Sequence, residues 1–97
     1  MNSETVSVRL RENRTALEAL GVKSLALFGS AARGEAGPGS DLDFLVEFSR
    51  PVGLFEFVEL GHALEKILQC KVDLVTPDAL RESMKAAILE EAIDVTP

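Results

Sequence analysis

The sequence predicts an α+β domain (a mixed α/β arrangement) in which helices pack on a small mixed β-sheet. Three short runs, at residues 24–28, 41–48 and 71–76, have the length and apolar content of strands. Longer segments before and between them carry apolar residues at helical spacing. The element order is therefore α-β-β-α-β-α. At 97 residues and 46% apolar content, we expect residues 1–97 to form a single domain.

The first half of the chain is expected to hold one helix, two strands and a loop. Ser3 is a plausible N-cap, and Gly21 ends the helical spacing. After the strand at 24–28, residues 29–40 contain four glycines and a proline. This composition predicts a loop, with room for one helical turn from Ser30 to Arg33.

The second half predicts a helix, a strand and a final helix. Residues 54–69 form the stronger amphipathic pattern, in which Gly61 marks a kink or a close packing contact. The strand at 71–76 alternates β-branched residues. The last helix is expected to begin at Pro77, with Thr76 as its cap.

Charge and composition exclude several classes of function. The formal net charge is −6, from 16 acidic and 10 basic side chains, which argues against broad nucleic-acid binding because that depends on Lys and Arg. Binding of one nucleotide through metal ions remains compatible. The single cysteine, Cys70, allows no internal disulfide. With no signal peptide and no apolar run of about 20 residues, we expect a soluble protein of the cytoplasm, with no membrane association.

Two aspartates near a Gly-Ser pair form the most informative motif. Gly29 and Ser30 are followed, after ten residues, by Asp41 and Asp43. Side chains at i and i+2 of a strand share a face, so the two carboxylates can hold a hard divalent cation. Gly29 lets the backbone approach a phosphate, and Ser30 offers a hydroxyl and a turn of N–H groups. Such a pattern suggests transfer of a nucleotidyl group, with two divalent ions such as Mg²⁺ on the α-phosphate of the donor.

Asp73 is the best candidate for a third carboxylate. It lies mid-strand between Val72 and Leu74, where aspartate is a poor strand former. There it would bind the metal ion next to the attacking hydroxyl and accept the proton of that hydroxyl. Three neighbouring carboxylates repel one another without cations, so one of them is expected to hold a proton. The alternative for Asp73 is an edge-strand charge that discourages aggregation.

The string from Gly29-Ser30-Ala31-Ala32-Arg33-Gly34 to Ser40-Asp41-Leu42-Asp43, with Val72-Asp73-Leu74-Val75, resembles the minimal nucleotidyltransferase branch of the DNA polymerase β superfamily. The resemblance spans residues 20–80 and implies the polymerase-β-like nucleotidyltransferase fold. It implies that Asp41, Asp43 and Asp73 bind the two catalytic Mg²⁺ ions and that Gly29 and Ser30 contact the triphosphate of ATP.

Members of this branch are often MntA-like antitoxins that silence a HEPN-domain toxin by transferring AMP to a tyrosine. The resemblance thus implies a HEPN-domain toxin protein as partner, in a toxin–antitoxin system. A homo- or hetero-oligomer would supply the acceptor that so short a chain has little room to bind.

Other residues allow two interpretations each. Arg33 either steadies the triphosphate or forms a structural ion pair with Glu35 or Asp41. His62, the single histidine, fits a surface or packing role better than catalysis. The start of the helix at 54–69 carries more apolar side chains than one helix face needs: Leu54, Phe55, Phe57 and Val58. Either all of them pack in the core, or some of them form a surface that docks a partner.

Competing functions follow from the same motif. A catalytically silent antitoxin would keep the fold and act by masking its partner, but it would have no need of three carboxylates. A haloacid dehalogenase-type phosphatase places its aspartates at the end of an apolar strand, whereas Asp41 and Asp43 open one. A phosphate-loop NTPase is excluded because the chain lacks Gly-Lys-Ser/Thr.

Overall fold

A mixed sheet forms the centre of the computed structural model, which describes residues 1–35, 37 and 41–97. Within these residues the sheet has four strands in the order β3-β2-β1-β4. They are β1 (Val22–Phe28), β2 (Leu42–Phe48), β3 (Val72–Val75) and β4 (Ile93–Asp94). β2 pairs in parallel with β3, while β1 pairs antiparallel with β2 and β4. The predicted mixed sheet is confirmed, but β4 was not predicted from the sequence.

The N-terminal helical segment is two helices rather than one. α1 (Ser3–Glu12) and α2 (Arg14–Ala19) are separated at Asn13, whose side chain donates a hydrogen bond to the Arg9 carbonyl at 2.9 Å. The N-cap is Asn2, not Ser3, because the Asn2 side chain accepts the Thr5 N–H at 2.8 Å. Gly21, with φ +90°, ends this segment as predicted.

The next two helices lie within one residue of their predicted positions. α3 (Gly29–Ala32) is the short turn expected beside the loop, and residues 36 and 38–40 of that loop lie outside the described part of the chain. α4 (Leu54–Leu68) matches the amphipathic pattern, and an added Cβ at Gly61 would meet nothing within 4 Å, so Gly61 is not a close packing contact.

The last helix begins later than predicted. Pro77–Ala79 forms a separate 3₁₀ turn, Leu80 and Arg81 are extended, and α5 spans Glu82–Glu91. None of the helices in the described residues is long and apolar enough to cross a membrane.

The core lies on one side of the sheet, under α1, α2 and α4. Alternate residues of β2 point into it, and they are Leu42, Phe44 and Val46. The helices contribute fully buried side chains at helical spacing: Val6, Leu10, Leu17, Leu60, Leu64 and Leu68. Because strand side chains alternate, Asp43 lies on the opposite side of β2, away from these helices. The fold therefore keeps the polar start of β2 outside the core.

Candidate active site

Register within the sheet brings the predicted site residues to one edge. Asp43, at the start of β2, pairs with Phe28 at the end of β1 and with Asp73 in β3. Since Gly29 directly follows Phe28, the Gly-Ser turn begins beside the Asp43 carboxylate. Residues at the same register of neighbouring strands point to the same face, so Asp43 and Asp73 project together.

Gly29 approaches Asp43 so closely that no side chain fits between them. Its φ is +72°, which L residues rarely adopt, and an ideal Cβ there would lie 2.3 Å from Asp43 Oδ2. Gly29 is therefore needed both for its backbone conformation and for the space it leaves. The turn and the Asp43 carboxylate therefore lie in direct contact.

The Asp43 carboxyl has a pKa above its ordinary value. Partial burial raises it most, and the negative charges of Asp73 and Asp41 raise it further. A hydrogen bond between the Asp43 and Asp73 side chains acts in the same direction, while the positive charge of Arg33 opposes it. Asp43 is half-buried, whereas Asp41 and Asp73 are exposed.

The donor chemistry at this edge fits a divalent cation. Oxygen ligands from carboxylates are those that Mg²⁺ prefers, and a cation would relieve the repulsion that raises the pKa of Asp43. Among the described residues, however, no group of three or more acidic, histidine or cysteine side chains is gathered closely enough to hold a metal ion. The structure brings Asp43 and Asp73 together, with Asp41 one residue before β2.

Asp73 satisfies both interpretations made from the sequence. β3 is an edge strand and Asp73 is exposed, as an anti-aggregation charge would be. Its register opposite Asp43, rather than at another position of β3, is what favours a role in the site.

Arg33 forms ion pairs on the far side of the turn. Its Nε pairs with Glu35, as one of the predicted alternatives, and its Nη1 lies 3.0 Å from Glu91 Oε2. These contacts raise the pKa of Arg33 above its ordinary value, through the Glu35 hydrogen bond first and then Glu91. Ser30, half-buried, follows Gly29 in the same turn, and its carbonyl accepts the Glu35 N–H at 2.8 Å.

Glu91 was missed in the sequence, although it contacts two predicted site residues. Its Oε1 accepts the Gly29 N–H at 3.1 Å in addition to its contacts with Arg33. The only local signal is that Glu91 ends a helical pattern, which gives no reason to connect it with residues 29–33.

The largest described hollow and the single histidine lie away from the predicted site residues, and the single cysteine is poorly suited to nucleophilic attack. A hollow of about 750 Å³ lies at the other end of β2, between residues 46–54, Phe57 and the turn at 76–78, and contains none of the predicted site residues. His62 is exposed on α4. Burial raises the pKa of the half-buried Cys70 thiol, so it is a poor nucleophile.

Comparison with known proteins decides the family. The family model described as "Nucleotidyltransferase domain" matches residues 10–95, which include the whole site. The chain belongs to the nucleotidyltransferase domain family. This nucleotidyltransferase is 36% identical over 92 residues to the protein adenylyltransferase MntA of Thermococcus cleftensis, covering 95% of this chain and 93% of that protein.

Relatives of similar length also occur in Methanocaldococcus jannaschii. A candidate protein adenylyltransferase of Methanocaldococcus jannaschii is 38% identical over 94 residues, covering 96% of each chain.

Solved structures share the nucleotidyltransferase fold. One, a candidate minimal nucleotidyltransferase, superposes with a TM-score of 0.81 at 36% identity and covers 96% of this chain and 95% of its own. A complex of a tri-AMPylated HEPN toxin with an MNT antitoxin from Shewanella oneidensis matches with a TM-score of 0.57 over 88% of this chain and 70% of that one. At 19% identity the latter supports the fold alone. The predicted polymerase-β-like nucleotidyltransferase fold is confirmed.

Proposed function

We propose that residues 1–97 act as one minimal nucleotidyltransferase domain that transfers AMP from ATP to a hydroxyl acceptor and releases pyrophosphate. The register that pairs Asp43 with Asp73, directly beside the Gly29 turn, is the observation that carries this proposal. Two carboxylates and a glycine turn lie together there, which supports a site for metal ions and a triphosphate. The reaction uses ATP, and we place it in the cytoplasm.

Each site residue has a role in the proposed reaction. Asp41 and Asp43 would hold two Mg²⁺ ions, and Asp73 would complete the site and accept the proton of the attacking hydroxyl. Gly29, Ser30 and Arg33 would hold the β- and γ-phosphates. The acceptor oxygen bonds to the α-phosphorus while the bond from that phosphorus to the β-bridging oxygen breaks. Bound Mg²⁺ would neutralise charge on the entering and leaving oxygens.

The acceptor is proposed to be a HEPN-domain toxin. The site lies on the sheet side away from α1, α2 and α4, where a second protein has access to it. The MntA relative is named a protein adenylyltransferase, and the Shewanella oneidensis complex contains an AMPylated HEPN toxin. In this proposal the chain is an antitoxin that modifies its partner.

A direct test follows the label of ATP. The full chain is incubated with ATP labelled at the α-phosphate, Mg²⁺ and the protein encoded by the neighbouring gene. We expect label on that protein and release of pyrophosphate, both abolished by EDTA. Labelling that persists with EDTA would contradict the metal-dependent mechanism, and no labelling of any acceptor would contradict the proposed function.

A second candidate is neutralisation by binding alone. Leu54 and Phe55, at the start of α4, are 78% and 84% exposed, so an apolar surface suited to a protein partner is present. If Asp43→Asn still neutralises the toxin fully, masking rather than modification accounts for the antitoxin activity.

A further inference from the structure

We propose that Glu91, the last residue of α5, is a positioning residue for the triphosphate-binding turn. The inference rests on the proposed nucleotidyl transfer, since it names what holds the turn that the reaction uses. Glu91 touches no reacting atom, and it acts through Gly29 and Arg33.

The contacts of Glu91 join the C-terminal helix to the turn. Its Oε1 accepts hydrogen bonds from the Gly29 N–H at 3.1 Å and from Arg33 Nη1 at 3.2 Å, and its Oε2 lies 3.0 Å from the same Nη1. One carboxylate therefore restrains both Gly29, the first residue of the turn, and the guanidinium of Arg33, four positions later. Such charge-assisted hydrogen bonds are stronger than those between neutral groups.

The hydrogen bond from Gly29 to Glu91 matters because Gly29 has no room to move toward the Asp43 carboxylate. The α-carbon of Gly29 faces Asp43 so closely that a Cβ would overlap the carboxylate oxygen. A displacement of Gly29 would therefore change the space available to Asp43. By fixing the N–H of Gly29, Glu91 keeps the turn that is proposed to bind phosphate at a constant distance from the Asp43 carboxylate.

The contact with Arg33 limits where the guanidinium can go. Glu91 and Glu35 both pair with it, but the Glu91 side chain is 31% exposed and that of Glu35 is 61% exposed. An ion pair less exposed to water is screened less and restrains its partner more. Glu91 thus adds a less screened restraint at Nη1 of Arg33, beside the Glu35 contact at Nε.

Positioning and competition predict opposite effects of removing Glu91. If the carboxylate merely occupied the place of a phosphate, its removal would free Gly29 and Arg33 and tighten ATP binding. If it positions them, its removal lets the turn and the guanidinium move and weakens binding. The two accounts differ in the sign of the change.

The experiment compares Glu91→Ala and Glu91→Gln with Glu90→Gln, an exposed neighbour on α5 that serves as the matched control. We expect Glu91→Ala to raise both the dissociation constant of Mg²⁺-ATP and KM for ATP about tenfold. The value of kcat should change little, because the contact to phosphate is similar in the ground and transition states. Glu91→Gln should have a smaller effect, since its amide oxygen still accepts one hydrogen bond. Glu90→Gln should match the unaltered protein.

A second readout does not depend on the reaction. In the protein without ligands, the ¹⁵N-correlated amide signal of Gly29 should shift in both Glu91 variants and its hydrogen exchange should speed up, but not in Glu90→Gln. If the unaltered protein transfers no AMP, the proposed function fails while the Gly29 amide still reports on Glu91. Thermal unfolding of each variant establishes that the fold is retained.

Two results would overturn the inference. Tighter ATP binding in Glu91→Ala would identify the carboxylate as a competitor of the phosphates. A shifted Gly29 amide with unchanged ATP affinity and KM would make the contact structural only.

Discussion

At the scale of single residues, the site depends on one glycine and one carboxylate that occupy adjoining space. Gly29 adopts φ +72° directly against Asp43, whose pKa is raised by burial and by its acidic neighbours. Backbone conformation, side-chain volume and charge are therefore linked at a single contact. Changes to either residue should affect both stability and the proposed reaction.

Gly29→Ala should impair both properties. The left-handed backbone costs an L residue roughly 1–2 kcal/mol, and the new methyl group would displace the Asp43 carboxylate. We expect the free energy of unfolding to fall by at least that amount and AMP transfer to be largely lost. Denaturant unfolding and the transfer assay measure the two effects. Gly34→Ala, also at positive φ but with open space around it, is the control that separates backbone strain from the clash.

Asp43→Asn should stabilise the protein in the absence of metal. The folded-state pKa of Asp43 lies above its unfolded value, so the ionised carboxylate destabilises the fold as pH rises through that interval. Below about pH 4, where the unfolded carboxyl is protonated too, the penalty is absent. The melting temperature of Asp43→Asn should therefore exceed that of the unaltered protein at pH 7 with EDTA, and the difference should vanish in acid. An equal or lower melting temperature at pH 7 would contradict a destabilising effect of the partly buried Asp43 carboxylate beside its acidic neighbours.

At the scale of elements, the residues that follow β4 extend its contact with β1. The Leu25 N–H donates to Thr96 Oγ1 at 3.1 Å, and Val95 N–H donates to the Leu25 carbonyl at 2.9 Å. Leu25 is fully buried. The residues just after β4 thus satisfy polar groups of a core strand.

Thr96→Val should destabilise the fold by about 1–2 kcal/mol, because the Leu25 N–H loses its acceptor. It should also remove the hydroxyl hydrogen bond that does most to hold the pKa of Asp94 below its ordinary value, while the bond from the Thr96 N–H to Asp94 remains. Chemical denaturation measures the first effect, and Thr15→Val at an exposed position of α2 is the control. An unchanged free energy of unfolding would show that water replaces the threonine at Leu25.

The sequence predicts those elements whose signals are local. α4 and the three longer strands follow from periodicity, and the Gly29 turn and Asp43 follow from a contiguous motif. β4 was missed because two residues carry too little pattern. The start of α5 was placed too early because Pro77 begins a separate turn, and Leu80 and Arg81 then extend the chain. Glu91 was missed because its partners lie 58 and 62 residues away.

At the scale of the whole molecule, the core and the site lie on opposite sides of the sheet. The helices α1, α2 and α4 cover one side, while Asp43 and Asp73 project from the other. The net charge of −6 disfavours nucleic acid as the acceptor and is compatible with a protein acceptor. In the proposed reaction, residues of this fold bind the donor nucleotide and another molecule supplies the acceptor.

The most direct test of this account is the effect of Asp43→Asn on AMP transfer. Equal amounts of the unaltered chain, Asp43→Asn and Glu12→Gln, an exposed control on α1, are given α-labelled ATP, Mg²⁺ and the partner protein. Loss of a metal ligand should reduce the rate of labelling by at least about a hundredfold, as loss of a group that stabilises transition-state charge does. Glu12→Gln should retain the full rate. Labelling by Asp43→Asn at the unaltered rate would contradict the account.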